Sequence, residues 1–381
     1  MPSRFRSNSS TAADAAGKRK VFALKKRAHI LSAALLGVST LALAQAPAAS
    51  QPAPKPAQPG AAPAQAAPKP LQLQTLDSSS HPDPFPQPNP KNFTATTPTV
   101  DTVNAFLKAL WGHDPNRIWR VEAVLNTPAP GVSKVVVYIT DKTPNAKLAA
   151  TTFFVTPDGK HAIAGGDGII PFGATPFADA RKVLQDRADG AYRGSSSKDL
   201  MIVEFADLQC PHCKDAQATM DRITQDFPNA RIVFQNFPIA ELHPFAFKAA
   251  TYGYCVTKQK KDAFFAYAAD VFEKQAALTP DTGDQTLKDA VTKAGLDPAA
   301  IDLCAATDEA KNAVQGSIKL AQDIGVEQTP MLAVNGRLLP LNGVQYETLK
   351  AVISYQAVQD GVSSGAAPAG SSSRTPPSLM K

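Results

Sequence analysis

The chain has 381 residues, 44% of them hydrophobic, with 39 Lys and Arg against 33 Asp and Glu, 33 prolines and four cysteines. Its formal charge of +6 is concentrated at the start: the first 44 residues hold eight Lys/Arg and one Asp, which leaves the remainder near −1. A basic field for nucleic acid is therefore excluded once that segment is set aside.

The first 44 residues read as a targeting signal rather than as fold. A basic stretch from Lys18 to Arg27 runs into "ILSAALLGVSTLALA", which ends on the small-residue site Ala42-Leu43-Ala44. Basic, then apolar, then A-x-A is the order of a secretory signal peptide. The apolar run of 15 residues is shorter than the roughly 20 that a membrane-spanning helix needs, so an uncleaved anchor is the lesser alternative. Export to the periplasm or cell envelope is the expectation. Residues 45–91 hold thirteen prolines and scarcely a large apolar side chain. Such a stretch buries too little surface to offset its ordering entropy, so a disordered Pro/Ala-rich linker is expected there, and likewise a disordered tail over 361–381.

Between them, "TVDTVNAFLKALW" at 99–111 places Val100, Val103, Phe106, Leu107 and Leu110 on one helical stripe. Extended runs follow in "RIWRVEAVL", "KVVVYIT" and "LAATTFFVT", then a Pro-Asp-Gly turn. One helix and three or four strands predict a small α+β domain over 92–173, suited to binding or assembly. Its single histidines, His113 and His161, have no neighbouring ligand set in the sequence.

The segment 174–360 predicts an α/β domain with a helical insertion. "LMIVEFA" at 200–206 is a buried-strand candidate, "KDAQATMDRITQDF" an amphipathic helix and "ARIVFQNFPI" a second strand. A mostly helical block runs from about Leu242 to Asp323. "MLAVNGRLLPL" then folds back around Asn335-Gly336, a strong hairpin signal.

Cys210 and Cys213 enclose Pro211 and His212 where the first strand hands over to a helix. Pro211 suits the first helical turn. Free N–H groups at a helix N-terminus favour an anion, and a protonated His212 would add positive charge beside the sulfur. Cysteines so placed titrate between about 3.5 and 7.5, and a stabilised thiolate is both a good leaving group and the mark of an oxidising disulfide. Zinc wants four ligands, usually two such pairs, and there is no second Cys-x-x-Cys. A structural staple across two residues closes almost no loop. Glu204 is the sole charge in its apolar run, six residues before Cys210. Burial would raise its pKa and let it exchange a proton with Cys213; an edge-strand glutamate facing water is the bland alternative.

"VEFADLQCPHC", "FQNFPI" with "LHPFAFKAA", and "GVEQTPMLAVNG", in that order, resemble the DsbA-like family of thioredoxin-fold envelope disulfide oxidoreductases. The resemblance implies a thioredoxin-like fold, Cys210 as the exposed nucleophile, Cys213 as the resolving thiol and Glu204 as the buried acid. It also implies a cis bond at Thr329–Pro330, with Pro330 facing the disulfide and Thr329 and Pro211 contacting an extended substrate. His243 in "LHPFAF" reads as packing or a helix start. No cofactor beyond the redox-active disulfide is implied. The implied partners are unfolded or partly folded secreted proteins and a membrane quinone-linked thiol oxidase. More loosely, "PAPGVSKVVV" and "FFVTPDGKHAIAGG" resemble the dimerisation domain of DsbC-type isomerases, which leaves a homodimer through 92–173 as open as a monomer. Cys255 and Cys304 remain: a structural disulfide, worth roughly 4 kcal/mol on the chain-entropy model, is expected in an oxidising compartment, with a second redox relay as the alternative. The expected function is disulfide introduction by an oxidase. The alternatives are an isomerase or reductase with chaperone activity, or a non-catalytic envelope binding module braced by its cysteines.

Overall fold

The computed structural model describes residues 83–165 and 168–363. The expected signal peptide, most of the linker and the tail beyond Ser363 lie outside the described residues. No helix within them is long and apolar enough to cross a membrane.

The 99–111 stripe forms α1 (Val100–Trp111), with the Thr99 hydroxyl accepting from the Thr102 N–H at its start. After it come β1 (Arg117–Asn126), β2 (Ser133–Asp141), β3 (Ala149–Val155), β4 (His161–Ile163) and β5 (Ile169–Pro171), an antiparallel sheet in sequence order. Five strands form where three or four were expected, because the Pro-Asp-Gly turn carries the chain on into two short strands. Val103, Phe106 and Leu107 of α1 pack against Val121, Val135, Val137, Phe153 and Val155. Of the linker expected to run unstructured to Lys91, residues 83–91 are described: Phe85 lies 5.2 Å beneath the Arg120 guanidinium, and the Asp83 carboxylate lies 3.8 Å from it. An aromatic ring and a carboxylate supply contacts that proline-rich composition hides.

The second sheet has the order β10-β9-β7-β8-β6. It comprises β6 (Ala191–Gly194), β7 (Met201–Ala206), β8 (Arg231–Asn236), β9 (Met331–Val334) and β10 (Arg337–Pro340). The short edge strand β6 escaped the sequence reading. β7 runs parallel to β8 and antiparallel to β9, and all six of its residues are buried. Helices α3 (Pro211–Asp226) and α9 (Tyr346–Gln359) cover one face through Met220, Ile223, Leu349 and Ile353. Helices α2 (Ala178–Arg187) and α8 (Asp308–Asp323) cover the other through Leu184, Leu320 and Ala321. The insertion is α4 (Ala246–Gln259), α5 (Phe264–Glu273), α6 (Gly283–Lys293) and α7 (Pro298–Ala305). It builds a core of its own, which includes Phe264, Tyr267 and Leu287 and reaches Cys210 and Cys213. Asn335 (φ 45°) and Gly336 (φ 90°) make the β9–β10 turn, where left-handed backbone favours this pair.

Arg337 on β10 is 7% exposed and donates to the carbonyls of Ala109 (3.2 Å) and Leu110 (2.6 Å) at the end of α1. The Tyr355 hydroxyl donates to the Lys108 carbonyl at 2.7 Å. Three carbonyls at the C-terminal end of α1 are thus met by side chains from the second layer, a form of capping that local sequence cannot reveal.

Candidate active site

Alternation along β7 sets the site. Met201, Val203 and Phe205 turn to the α2/α8 side, which leaves Ile202, Glu204 and Ala206 on the face that α3 covers. Glu204 is thereby buried under the start of α3, 3% exposed, and burial raises its pKa to about 7 against a downward pull from the Gln217 amide. Gln217 Nε2 donates to Glu204 Oε1 at 2.8 Å and to the Cys213 carbonyl at 3.0 Å. Gln217 went unnoticed in the sequence; its position four residues after Cys213 on the helix was the available signal.

Cys210 is the N-cap of α3 and Pro211 its first residue. Both cysteines are free thiols. The Cys210 thiol is lowered to about 5. The hydrogen bond from Cys213 lowers it most, burial opposes, and the Thr329 side chain and the backbone N–H groups of Cys213 and His212 add to the lowering. His212 is exposed, and its backbone N–H is among the groups that lower the Cys210 thiol. Cys210 is also less open than expected, at 5% exposure, because its Sγ lies 3.9 Å from the Thr329 carbonyl. Thr329–Pro330 is a cis bond, as is Thr97–Pro98, which the sequence reading did not anticipate.

Cys213, fully buried, is pushed far upward, first by desolvation, then by its bond to Cys210, and further by the negative charge of Glu204. One group opposes this: the Asp207 N–H, 3.4 Å from Cys213 Sγ. The pair is therefore strongly asymmetric, one sulfur poised as an anion and the other held as a thiol.

The insertion grips this loop. Gln275 Nε2 donates to the carbonyls of Leu208 (3.0 Å) and Cys210 (2.9 Å). Gln209 donates to the Leu278 carbonyl at 3.0 Å and accepts from the Phe245 N–H at 2.7 Å. Cys255 and Cys304 are joined by a disulfide between α4 and α7, remote in sequence from the other pair. His243 does sit in the turn before α4, donating its N–H to Ile239, but its ring also pairs with Asp207, a contact that the packing reading missed.

Residues 187–354 match the thioredoxin family model. Among curated proteins, a sodium/proton antiporter of Salinispora arenicola is 34% identical over 58 residues, 15% of this chain and 9% of the antiporter. The chain thus spans less than a tenth of that relative's length. A probable disulfide bond formation protein D of Bacillus cereus is 25% identical over 154 residues, 38% of this chain and 69% of the relative. Among solved structures, the catalytic domain of Proteus mirabilis ScsC is 24% identical with a TM-score of 0.41, covering 48% of this chain and 99% of that domain. BdbD of Bacillus subtilis is 22% identical with a TM-score of 0.39, covering 45% of this chain and 93% of that one. The chain therefore carries a thioredoxin-like domain over residues 187–354.

Proposed function

We propose that the protein is an exported thiol:disulfide oxidoreductase that introduces disulfides into secreted proteins. The observation that carries this reading is the asymmetry of the pair: Cys210 lowered to about 5 beside a Cys213 that burial forces to stay protonated. Starting from the oxidised pair, a substrate thiolate attacks Cys210 Sγ. The Cys210–Cys213 bond breaks, a mixed disulfide forms, and Cys213 leaves with the electron pair and takes up a proton. Glu204, lifted to about 7, is assigned as the acid that supplies that proton. A second substrate thiolate then attacks the substrate sulfur, and Cys210 departs as a stable thiolate. The substrate loses two electrons and the protein gains them. A membrane quinone-linked thiol oxidase is the partner class that would return the pair to the disulfide. Thr329 and Pro330 are assigned to contact extended substrate across from Cys210, with Pro211 at its rim.

The deciding measurement is the pH dependence of Cys210 alkylation, paired with a scrambled-ribonuclease assay. An alkylation midpoint near 5 and activity lost in Cys210→Ser support the reading. A midpoint like that of free cysteine, or undiminished activity in the variant, rejects it. The redox state in cells tests direction, a mostly oxidised pair for an oxidase and a mostly reduced one for an isomerase or reductase.

A second reading, a dimeric isomerase, draws on one observation. Phe154, Ile163 and Ile169 pair across β3, β4 and β5 and are 37%, 40% and 69% exposed. Sedimentation of the full chain separates the two, since Ile169→Lys would dissociate a dimer built on that row.

A further inference from the structure

The carboxylate of Asp207 is fully buried, yet no step above uses it. Its Oδ1 accepts from the Gln209 N–H at 2.7 Å. Its Oδ2 accepts from the Ile239 N–H at 2.9 Å and faces His243 Nδ1 at 2.8 Å. Three donors from two separate segments thus clamp one side chain. The main chain of the same residue brackets the cysteine pair, its carbonyl accepting from the Cys210 N–H at 3.1 Å and its N–H donating to Cys213 Sγ at 3.4 Å. We infer that Asp207 and His243 form a positioning pair that fixes the Asp207 N–H against the leaving sulfur of Cys213. This rests on the thiol–disulfide exchange proposed above.

The argument follows where charge develops. When a thiolate attacks Cys210, the electron pair of the broken bond collects on Cys213 before a proton arrives. That sulfur lies in an apolar core and is 0% exposed. A backbone N–H held in place stabilises such charge without reorganisation at the moment of reaction. A peptide in a loop keeps one orientation only if something holds it. Here the clamp on the Asp207 side chain does so, and His243, with 19% of its side chain exposed, is the part of the clamp that can be altered without opening the core. Both residues act through the peptide and touch neither sulfur with their side chains.

The test uses the full chain with the Cys210–Cys213 pair oxidised and dithiothreitol as the attacking thiol near pH 7. His243→Ala removes the donor to Oδ2, whereas His243→Asn keeps an N–H donor at about the place of Nδ1. The expected result is a rate of disulfide reduction about tenfold lower in His243→Ala, with His243→Asn within about threefold of wild type. The alkylation midpoint of Cys210 in the reduced variants should stay near 5, because the groups that set it are elsewhere. An unchanged rate in His243→Ala, equal losses in both variants, or a parallel shift of the Cys210 midpoint overturns the assignment. Those outcomes leave the exchange reading standing. If the wild-type disulfide is reduced no faster than glutathione disulfide, the exchange reading fails and takes this assignment with it.

Discussion

The two five-stranded sheets bury their polar residues differently. In the N-terminal sheet each strand pairs with its sequence neighbour, α1 packs on one face, and the buried Glu122 is paired with Arg120 at 2.8 Å. In the second sheet β7 has neighbours on both edges and helices on both faces, so Glu204 has no route to water. A carboxylate that cannot leave a two-sided core changes its protonation instead. The difference teaches that reactivity here comes from what surrounds a buried carboxylate: Glu122 of the first sheet has the Arg120 guanidinium at 2.8 Å and the Asn92 amide at 3.1 Å, whereas Glu204 meets the neutral Gln217 amide at 2.8 Å.

The sharpest way to break the comparison is Cys210→Ser, expected to reduce thiol–disulfide exchange to the uncatalysed rate while leaving the N-terminal sheet intact by circular dichroism. Residual activity would move the chemistry elsewhere. Next in size, Cys255→Ser combined with Cys304→Ser opens a loop of sequence separation 49. The loss should be about 4 kcal/mol in urea unfolding, confined to the second layer.

Glu204→Gln tests the two-sided core directly. The folded protein holds this proton more tightly than the unfolded chain, with a pKa raised from 4.5 to about 7. Stability should therefore be full at low pH and fall as pH rises through that window, by on the order of 3 kcal/mol at pH 8. Gln removes the slope, so the variant should gain on wild type between pH 5 and 8; a pH-independent difference defeats the explanation. Cys210 runs the other way. Its thiol, lowered from 9.0 to about 5, stabilises the reduced form fully above pH 9 and loses that contribution as pH falls from 9 to 5, so the stability of the reduced protein relative to the oxidised one should drop over that range. The smallest effects lie between the layers. Arg337→Met, which strips donors from the Ala109 and Leu110 carbonyls, should cost about 2 kcal/mol, and Tyr355→Phe about 1 kcal/mol, read as faster amide exchange at the end of α1.

Much of this was legible in the sequence because it is written locally. The period of α1, the Asn335-Gly336 turn, the strand-to-helix handover at Cys210 and the lone charge of Glu204 are all short-range patterns. What stayed hidden is contact between distant segments: Gln217 as donor to Glu204, Gln275 on the cysteine loop, His243 on Asp207 and Arg337 on α1. Polar side chains such as these carry no periodicity, and their partners exist only after folding.

The amide of Gln275 bridges two carbonyls of the loop that ends in Cys210, and it sits between α5 and α6 of the insertion. The helical block is thus tied to the reactive sulfur's own backbone by one side chain. A substitution within that block therefore reaches the backbone that carries Cys210 without altering any residue between the two sulfurs.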